Sequence, residues 1–435
     1  MANLALVLVV FYLLPFFVPV LSSDFDPLLD VEQNYDRNIT TTINPNCPQN
    51  ECVNFTLIHV QQQGRTDVLH HLWTMENIPT FFYARTEINT ELIIDWHKML
   101  SGNNSQAISF SKEPQYFAAV LILKFFMYND LNDTGIIPKM NSYDTVSFST
   151  KNDLNDTGII PKMNSYDTVS FSTKKMFWEL KSSNYSGNRS ASVAFRLANY
   201  DGVELDSSSN IEITLTAYGT RGRSPILPHL AFTENSTQID FIFDRLETKE
   251  SFTNARLAIE LATVVSEPNS RFTLNVSQSL DDEYTPGVFK LMEVHSALNQ
   301  HWIQWRPVCY TSTKRDIGDS TGMYQTGIRN VTDDEVFENS LLQWLLLDID
   351  MPSLSMNGFN VSFGVEGDGF YKASNYTAWT MVTGHGSPIG DQFSVMVILV
   401  MAIGLGLPAV VLILGGVAIA LRNHRNSKDD LLLSD

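Results

Sequence analysis

The sequence predicts a mainly β protein, with a β-sandwich-like ectodomain followed by one C-terminal transmembrane helix. Apolar and polar residues alternate in several short runs, at Val193–Leu197, Ile211–Thr216, Ile239–Phe243, Phe272–Val276 and Phe359–Phe363. A period of two is typical of antiparallel strands with one buried face. Turn-like strings separate these runs, and Asp334–Leu347 is the best candidate for an amphipathic helix. We expect two packed units with a seam near residues 180–230.

The N-terminus has the features of a signal peptide. Residues 1–21 are almost wholly apolar, and Ser22 and Ser23 follow them. A cut after Ser22 would leave small residues at the cleavage site, so we predict a signal peptide over residues 1–22. The alternative is an uncleaved anchor, which Pro15 and Pro19 disfavour. The lumenal ectodomain then covers residues 23–392.

A second apolar block, residues 393–421, contains no charged residue. It is long enough to cross a hydrocarbon core of about 30 Å with some tilt. Arg422, Arg425 and Lys428 follow at once, and positive charges flanking a span favour the cytosolic side. The sequence therefore predicts a type I membrane protein with a lumenal N-terminus and a cytosolic tail, residues 422–435.

Sequons for N-glycosylation support this topology. All twelve lie between the two apolar ends, at Asn38, Asn54, Asn103, Asn132, Asn155, Asn184, Asn188, Asn235, Asn275, Asn330, Asn360 and Asn375. A single sequon is weak evidence, but a dozen confined to the predicted lumenal part is much stronger. We expect a heavily glycosylated ectodomain.

Composition limits the classes of partner and of covalent framework. The 435 residues carry 29 Lys and Arg against 48 Asp and Glu, a net charge of −19, which disfavours nucleic acid or anionic lipid as a main partner. Only three cysteines occur, too few for a disulfide-dense scaffold. Cys47 and Cys52 can pair across a short loop, and Cys309 would then be unpaired and buried.

Motifs that carry chemistry are scarce. His70 and His71 are adjacent, so on a strand they point to opposite faces and one metal could hardly bind both. Asp281 and Asp282 form the densest carboxylate group, but Pro286 and Gly287 follow, and a solvated turn is favoured over a hydrolytic or calcium site. We assign no catalytic residue, no metal site and no cofactor.

The last residues of the chain suggest a sorting signal. Asp429, Leu432 and Leu433 match the D-x-x-L-L type of acidic dileucine motif. Exposed leucines on a short tail have no fold to join, so docking to a sorting adaptor is the natural explanation. The alternative is an apolar chain end without a role. The motif predicts delivery to endosomes or lysosomes.

An exact internal repeat needs separate treatment. Residues 129–151 and 152–174 are identical over 23 positions. Functional repeats diverge at the surface and need several units to bury a core, so two perfect copies indicate a recent duplication or a sequence-assembly error. We assign no structural role to the second copy, and its Asn155 is a sequon by duplication.

Several strings together resemble the glycosylated lysosomal membrane protein family. They occur in the family's order, at Val193–Arg196, Ser279–Phe289, Gln304–Tyr310, Phe359–Gly364, Tyr376–Trp379 and Gly404–Gly416. The resemblance covers nearly the whole mature chain and has the same membrane topology. It implies a heavily glycosylated type I protein of the lysosomal membrane. It also implies a non-enzymatic accessory subunit that shields a lysosomal major-facilitator transporter from lumenal proteases.

This chain departs from the family pattern in two respects. The family tail carries a tyrosine-based sorting signal, whereas residues 422–435 contain no Tyr. Lumenal cysteines are also scarcer than the resemblance leads us to expect. Two other functions stay open from the sequence: a lysosomal hydrolase using carboxylates such as Asp281 or Asp282, and a sorting or cargo receptor that uses the tail.

Overall fold

The computed structural model describes residues 36–48, 51–52, 55–101, 106–136, 168–186, 189–206, 208–278, 285–298, 300–331, 334–345, 354–388 and 395–432. The predicted signal peptide, residues 1–22, lies outside these ranges. The described strands are β1 Asn38–Ile43, β2 Leu57–Gln63, β3 Asp67–Thr74, β4 Thr80–Glu87, β5 Leu92–Ile94, β6 Ile108–Phe110, β7 Tyr116–Asn129, β8 Thr168–Ser172, β9 Met176–Ser186, β10 Ser190–Tyr200, β11 Val203–Glu204, β12 Asn210–Tyr218, β13 Gly222–Arg223, β14 Ala231–Phe232, β15 Ser236–Asp244, β16 Ala255–Val265, β17 Thr273–Gln278, β18 Lys290–His295, β19 His301–Trp305, β20 Val308–Tyr310, β21 Ser320–Gln325, β22 Arg329–Asn330, β23 Ser355–Phe363 and β24 Tyr376–His385. The helices are α1 Trp96–Leu100, α2 Asp334–Glu338, α3 Leu342–Leu345, α4 Phe370–Ser374 and α5 Val395–Leu432, with single 3₁₀ turns at Thr173–Lys175 and Ile317–Asp319.

Two large antiparallel sheets contain most of these strands. In the first sheet the order is β1–β2–β3–β4–β7–β16–β23, with β8 beside the second half of β7 and with β21 and β22 against β23. In the second sheet the order is β9–β10–β12–β15–β24–β19–β18–β17. Strand β20 pairs with both β24 and β21 and so connects the sheets. The mainly β fold class is confirmed.

A single hydrophobic core fills the space between the sheets. Phe359 and Val361 of the first sheet, and Phe241 and Trp379 of the second, belong to the same buried cluster. The rings of Trp305 and Phe359 stack across the interface at 5.5 Å between centroids. Each fully buried aromatic or aliphatic side chain of this kind contributes about 1.5–3 kcal/mol through its removal from water.

The outer face of the first sheet is also covered. A second cluster joins Leu121 of β7 and Ala262 of β16 to Trp96 of α1 and Leu342 of α3. Both faces of these central strands are therefore buried, and the pattern of β7 and β16 is a nearly continuous apolar run rather than an alternation.

The chain passes from the first sheet to the second shortly before the region in which we predicted a seam. The chain leaves the first sheet at β8, makes the 3₁₀ turn Thr173–Lys175 and enters the second sheet at β9. Because later strands return to both sheets, the parts on the two sides of this point share one core. The division into two packed units with a seam near residues 180–230 stays a prediction. The alternation of apolar and polar residues indicates that one face of a strand is buried. It does not indicate which sheet the strand joins.

The predicted helix over Asp334–Leu347 is wrong in its extent, because the described residues form two short helices, α2 and α3, separated by a turn. The backbone N–H of Leu341 donates to Thr80 Oγ1 at 3.3 Å. The carbonyl of Asn339 accepts from Ile78 N at 3.0 Å. Bonds to the start of β4 therefore replace the helical bonds at this point, as tertiary contacts commonly override local propensity.

The described parts of the internal repeat are complementary. The first copy supplies the end of β7 and the following loop through residue 136, which are repeat positions 1–8. The second copy supplies β8 and most of the 3₁₀ turn, residues 168–174, which are repeat positions 17–23. The prediction that the second copy has no structural role is therefore wrong, because Val169 and Phe171 of β8 belong to the core between the sheets.

Deletion of residues 137–159 should therefore leave the fold intact. The deletion restores one full copy and removes none of the residues whose contacts are described above. We expect the thermal midpoint of the full-length protein in detergent to stay within a few degrees of the parent, because a shift of this size corresponds to at most about 1 kcal/mol. A matched deletion of 23 residues from 106–128, which removes nearly all of β7, should prevent folding. Loss of folding in the first variant would assign a structural role to the inserted residues.

Candidate functional site

The C-terminal helix α5 is a prominent functional feature. Its stretch from Val400 to Asn423 is long and apolar enough to cross a membrane, and no part of that stretch is buried against the rest of the chain. The helix continues without Gly or Pro from Arg422 to Leu432, so the predicted tail is helical as far as it is described. Leu433 lies outside the described residues.

Small residues are dense along this helix. Gly404, Gly406, Gly415 and Gly416 lie within it, and a Cβ added at any of them would meet no atom within 4 Å. Close backbone approach over small residues is the main source of helix–helix affinity in membranes, where the hydrophobic effect gives little drive. The helix therefore has the surface that packing against another membrane helix requires.

Eight of the twelve predicted glycosylation sites fall within the described residues. Six of these asparagines have exposed side chains, namely Asn38, Asn132, Asn184, Asn275, Asn330 and Asn375. Asn235 is half-buried and its Oδ1 accepts from Arg37 Nε at 2.8 Å. Asn360 is only 7% exposed, so it is the least accessible of the eight. Asn54, Asn103, Asn155 and Asn188 lie outside the described residues.

The two adjacent histidines lie on opposite faces of β3. The ring of His70 stacks on His59 and contacts Phe110, on the side of the second cluster. His71 instead bonds Gln62 Oε1 at 2.7 Å and contacts Thr237 of the second sheet. This is the separation expected from the strand period. The described residues contain no group of three His, Cys, Asp or Glu side chains arranged to hold a metal ion.

Three histidines from distant parts of the chain line one buried region between the sheets. Tyr83 contacts the rings of His71, His301 and His385. The Tyr83 hydroxyl lies 2.9 Å from His301 Nδ1, and His301 Nε2 lies 2.8 Å from Thr263 Oγ1. His385 Nδ1 lies 2.9 Å from the carbonyl of Gln300. No local sequence pattern marks this group, since its members meet only when the two sheets pack.

Burial keeps these imidazoles neutral. Loss of hydration lowers the pKa of His71 and His301 to about 3, and that of His385 to about 4, with smaller contributions from neighbouring cations and imidazoles. His59 and His70 are affected in the same way, with pKa values lowered to about 3 and about 4. Both ring nitrogens of His71 and of His301 have partners within the fold, so these two imidazoles connect the packed sheets.

A buried ion cluster is a second feature that sequence reasoning missed. Arg256 of β16 is fully buried and pairs with Asp130 at 2.7 Å, with Asp368 at 3.2 Å and with Asp133. Burial by itself raises the pKa of Asp130, but the backbone amides of Thr134 and Gly135 and the guanidinium outweigh it and hold that pKa below its usual value. Through Asp130 and Asp368, the cluster connects the loop after β7 with the loop before α4.

Of the remaining candidates of the sequence analysis, the three cysteines lie among the described residues. Cys47 and Cys52 form a disulfide, and Cys309 is fully buried, where burial raises the pKa of its thiol to about 12 and makes it a poor nucleophile. Asp281 and Asp282 lie outside the described residues.

Comparison with known proteins gives the family. The sequence profile of the glycosylated lysosomal membrane protein family matches residues 56–426. The chain belongs to that family. It is therefore a lysosomal membrane glycoprotein with one C-terminal helix that can span a membrane.

Individual relatives agree over almost the whole length. Glycosylated lysosomal membrane protein B of Xenopus laevis is 25% identical over 90% of this chain and 92% of its own. The Danio rerio relative is 24% identical over 90% of both chains, and the Homo sapiens relative is 22% identical over 86% of this chain and 85% of its own. A solved Salmonella typhimurium protein described as a mutarotase aligns with a TM-score of 0.30 and 7% identity, covering 76% of this chain and 94% of that one, which is too little to bear on activity.

Proposed function

We propose that this protein is a non-enzymatic accessory subunit of a lysosomal major-facilitator transporter, which it stabilises and shields from lumenal proteolysis. The observation that carries the proposal is helix α5, whose membrane-spanning stretch packs against nothing else in the described chain. Its small residues suit it to pack on the helices of a multi-spanning partner.

The ectodomain supplies a physical means of protection. Proteases cleave extended, accessible backbone, whereas most of the described ectodomain backbone is held in two antiparallel sheets around one core. A folded domain that covers the lumenal loops of a transporter withholds those loops from proteases. It also stabilises the folded transporter by mass action, because only the folded form binds.

The orientation of the chain is part of the same proposal. Arg422, Arg425 and Lys428 follow the apolar stretch of α5 directly, which favours a cytosolic C-terminus and a lumenal N-terminus. All twelve sequons precede that stretch and so would face the lumen, where glycans are added.

Replacing the membrane-spanning stretch tests which part binds. A chimaera that keeps residues 1–394 and 424–435 but spans the membrane with an unrelated poly-Leu helix should lose most of its co-purification with the transporter from detergent. The variant Gly406→Leu with Gly416→Leu should weaken co-purification to a lesser degree, and Leu405→Ile with Leu412→Ile is the matched control. Full retention of the transporter by the chimaera would contradict a binding role for α5 and leave the ectodomain as the contact.

The tail carries a separate prediction about sorting. Leu432→Ala with Leu433→Ala should divert the protein to the cell surface, because adaptor pockets recognise the paired leucines with the upstream Asp429. Surface biotinylation in cells that lack the transporter measures this without rescue by a signal on the partner. Leu431→Ala serves as the control for loss of an apolar residue. Unchanged lysosomal delivery of the double variant would exclude the dileucine motif.

A further inference from the structure

Each large sheet ends in strands that pair on one side only. Among the described strands, β1 pairs only with β2, and β22 pairs only with β23, at the two ends of the first sheet. Strand β9 pairs only with β10, and β17 pairs only with β18, at the two ends of the second. Unpaired backbone N–H and C=O groups on such strands are templates for pairing with another chain.

A sequon lies within each of these four edge strands. The asparagines are Asn38 in β1, Asn184 in β9, Asn275 in β17 and Asn330 in β22, and all four have exposed side chains. The remaining exposed sequons, Asn132 and Asn375, lie in connections rather than in strands. Sequons in the described residues are thus concentrated where the sheets end.

The strand β8 provides a useful contrast. It also pairs on one side only, with β7, but it contains no sequon. Its central residues Val169, Ser170 and Phe171 are buried at 3–5% exposure, so neighbouring parts of the chain already cover it. By comparison, five of the six residues of β17 are exposed. Strand β11 also pairs on one side only and has no sequon, but its partner β10 is an interior strand of the second sheet. Among the described strands that pair on one side only, those at the ends of the two large sheets are the ones that carry sequons.

We infer that the N-glycans at Asn38, Asn184, Asn275 and Asn330 close the sheet edges and prevent strand pairing with a second copy of this chain. A strand that joins a sheet must come within about 4.7–4.9 Å of the edge strand. A branched glycan attached to that edge strand occupies the space through which the second strand would approach. The same four strands are present in every copy, so a second copy is the partner that an unprotected edge would meet most often in the membrane.

The test compares the self-association of two variants, one that loses two glycans from edge strands and one that loses two glycans from connections between strands. Asn184→Gln with Asn275→Gln strips both ends of the second sheet, and Asn132→Gln with Asn375→Gly is the control. Glycine is chosen at 375 because that residue has a φ of 53°. Mass spectrometry first establishes that the four asparagines carry glycan in the parent, and light scattering of the full-length protein in detergent then measures the number of copies per particle.

We expect the edge variant to shift from one copy per particle to two or more, with the control unchanged. Asn275→Gln combined with Ser277→Asn moves the sequon two residues along β17, with Ser279 completing it, and keeps it on the same face of the strand. Adding this shifted sequon to the Asn184→Gln variant should lower self-association relative to the double edge variant. Three results would overturn the inference: no glycan at the edge asparagines, equal association of edge and control variants, or no effect of the shifted sequon.

Discussion

Arg256→Met should lower the free energy of unfolding by about 3–5 kcal/mol, because it leaves buried carboxylates without their cation. The guanidinium is fully buried and pairs with Asp130, Asp133 and Asp368, and it also donates to the carbonyl of Val365 at 2.9 Å. Methionine has a similar length but supplies neither charge nor donors. Urea unfolding of the full-length protein in detergent measures the loss, and retention in the endoplasmic reticulum is its cellular counterpart.

The control for this variant is an exposed ion pair of good geometry. Lys175 and Asp201 lie 2.7 Å apart with about half of each side chain exposed, so Lys175→Met should change the free energy of unfolding by no more than about 1 kcal/mol. Adding Asp368→Asn to Arg256→Met should recover part of the loss, since it removes one of the uncompensated charges. Equal stability of Arg256→Met and Lys175→Met would show that the cluster contributes nothing beyond surface pairing.

The second large effect is a loss of stability in acid. Each buried histidine has a folded pKa below its unfolded value of about 6.5, so its contribution is complete above pH 6.5 and is lost as the pH falls towards the folded value. For His301, whose pKa is lowered to about 3 by burial, the loss between pH 7 and pH 5 is about 2 kcal/mol. We expect urea midpoints of the full-length protein to fall over this range.

A single variant isolates the contribution of one imidazole. His301→Gln should be less stable than the parent at pH 7, since it loses the bond network with Tyr83 and Thr263, but it should lose about 2 kcal/mol less between pH 7 and pH 5. His97→Gln, at a side chain that is 80% exposed, is the control. An identical pH slope for parent and His301→Gln would show that the buried histidine is not linked to folding. Binding of a partner to the folded state would offset this acid sensitivity in the lysosome.

The sequence predicted the half-buried strands well. Runs such as Val193–Leu197 and Ile211–Thr216 alternate because one face of their sheet is packed, and both lie within observed strands. It did not identify β7 or β16, since strands covered on both faces lose their alternation and resemble any buried segment. The ends of the ectodomain were predicted from apolar runs, which need no tertiary information.

The buried polar groups could not be predicted, for a different reason. His71, His301 and His385 are up to 314 positions apart, and Arg256 meets carboxylates from two loops. No nearby residue in the sequence indicates that any of these side chains is buried with polar partners, because the contacts form only when the sheets pack. The adjacent pair His70 and His71 is different, because the strand period alone predicted that their side chains lie in separate environments.

The abundance of lysosomal transporters in cells that lack this protein tests the central claim most directly. Quantitative proteomics of isolated lysosomes should show selective depletion of a major-facilitator transporter, with its transcript unchanged. Inhibitors of lysosomal proteases should restore the transporter, and so should re-expression of the full chain. Unchanged levels of every major-facilitator transporter, or a depletion that protease inhibitors do not reverse, would contradict the account.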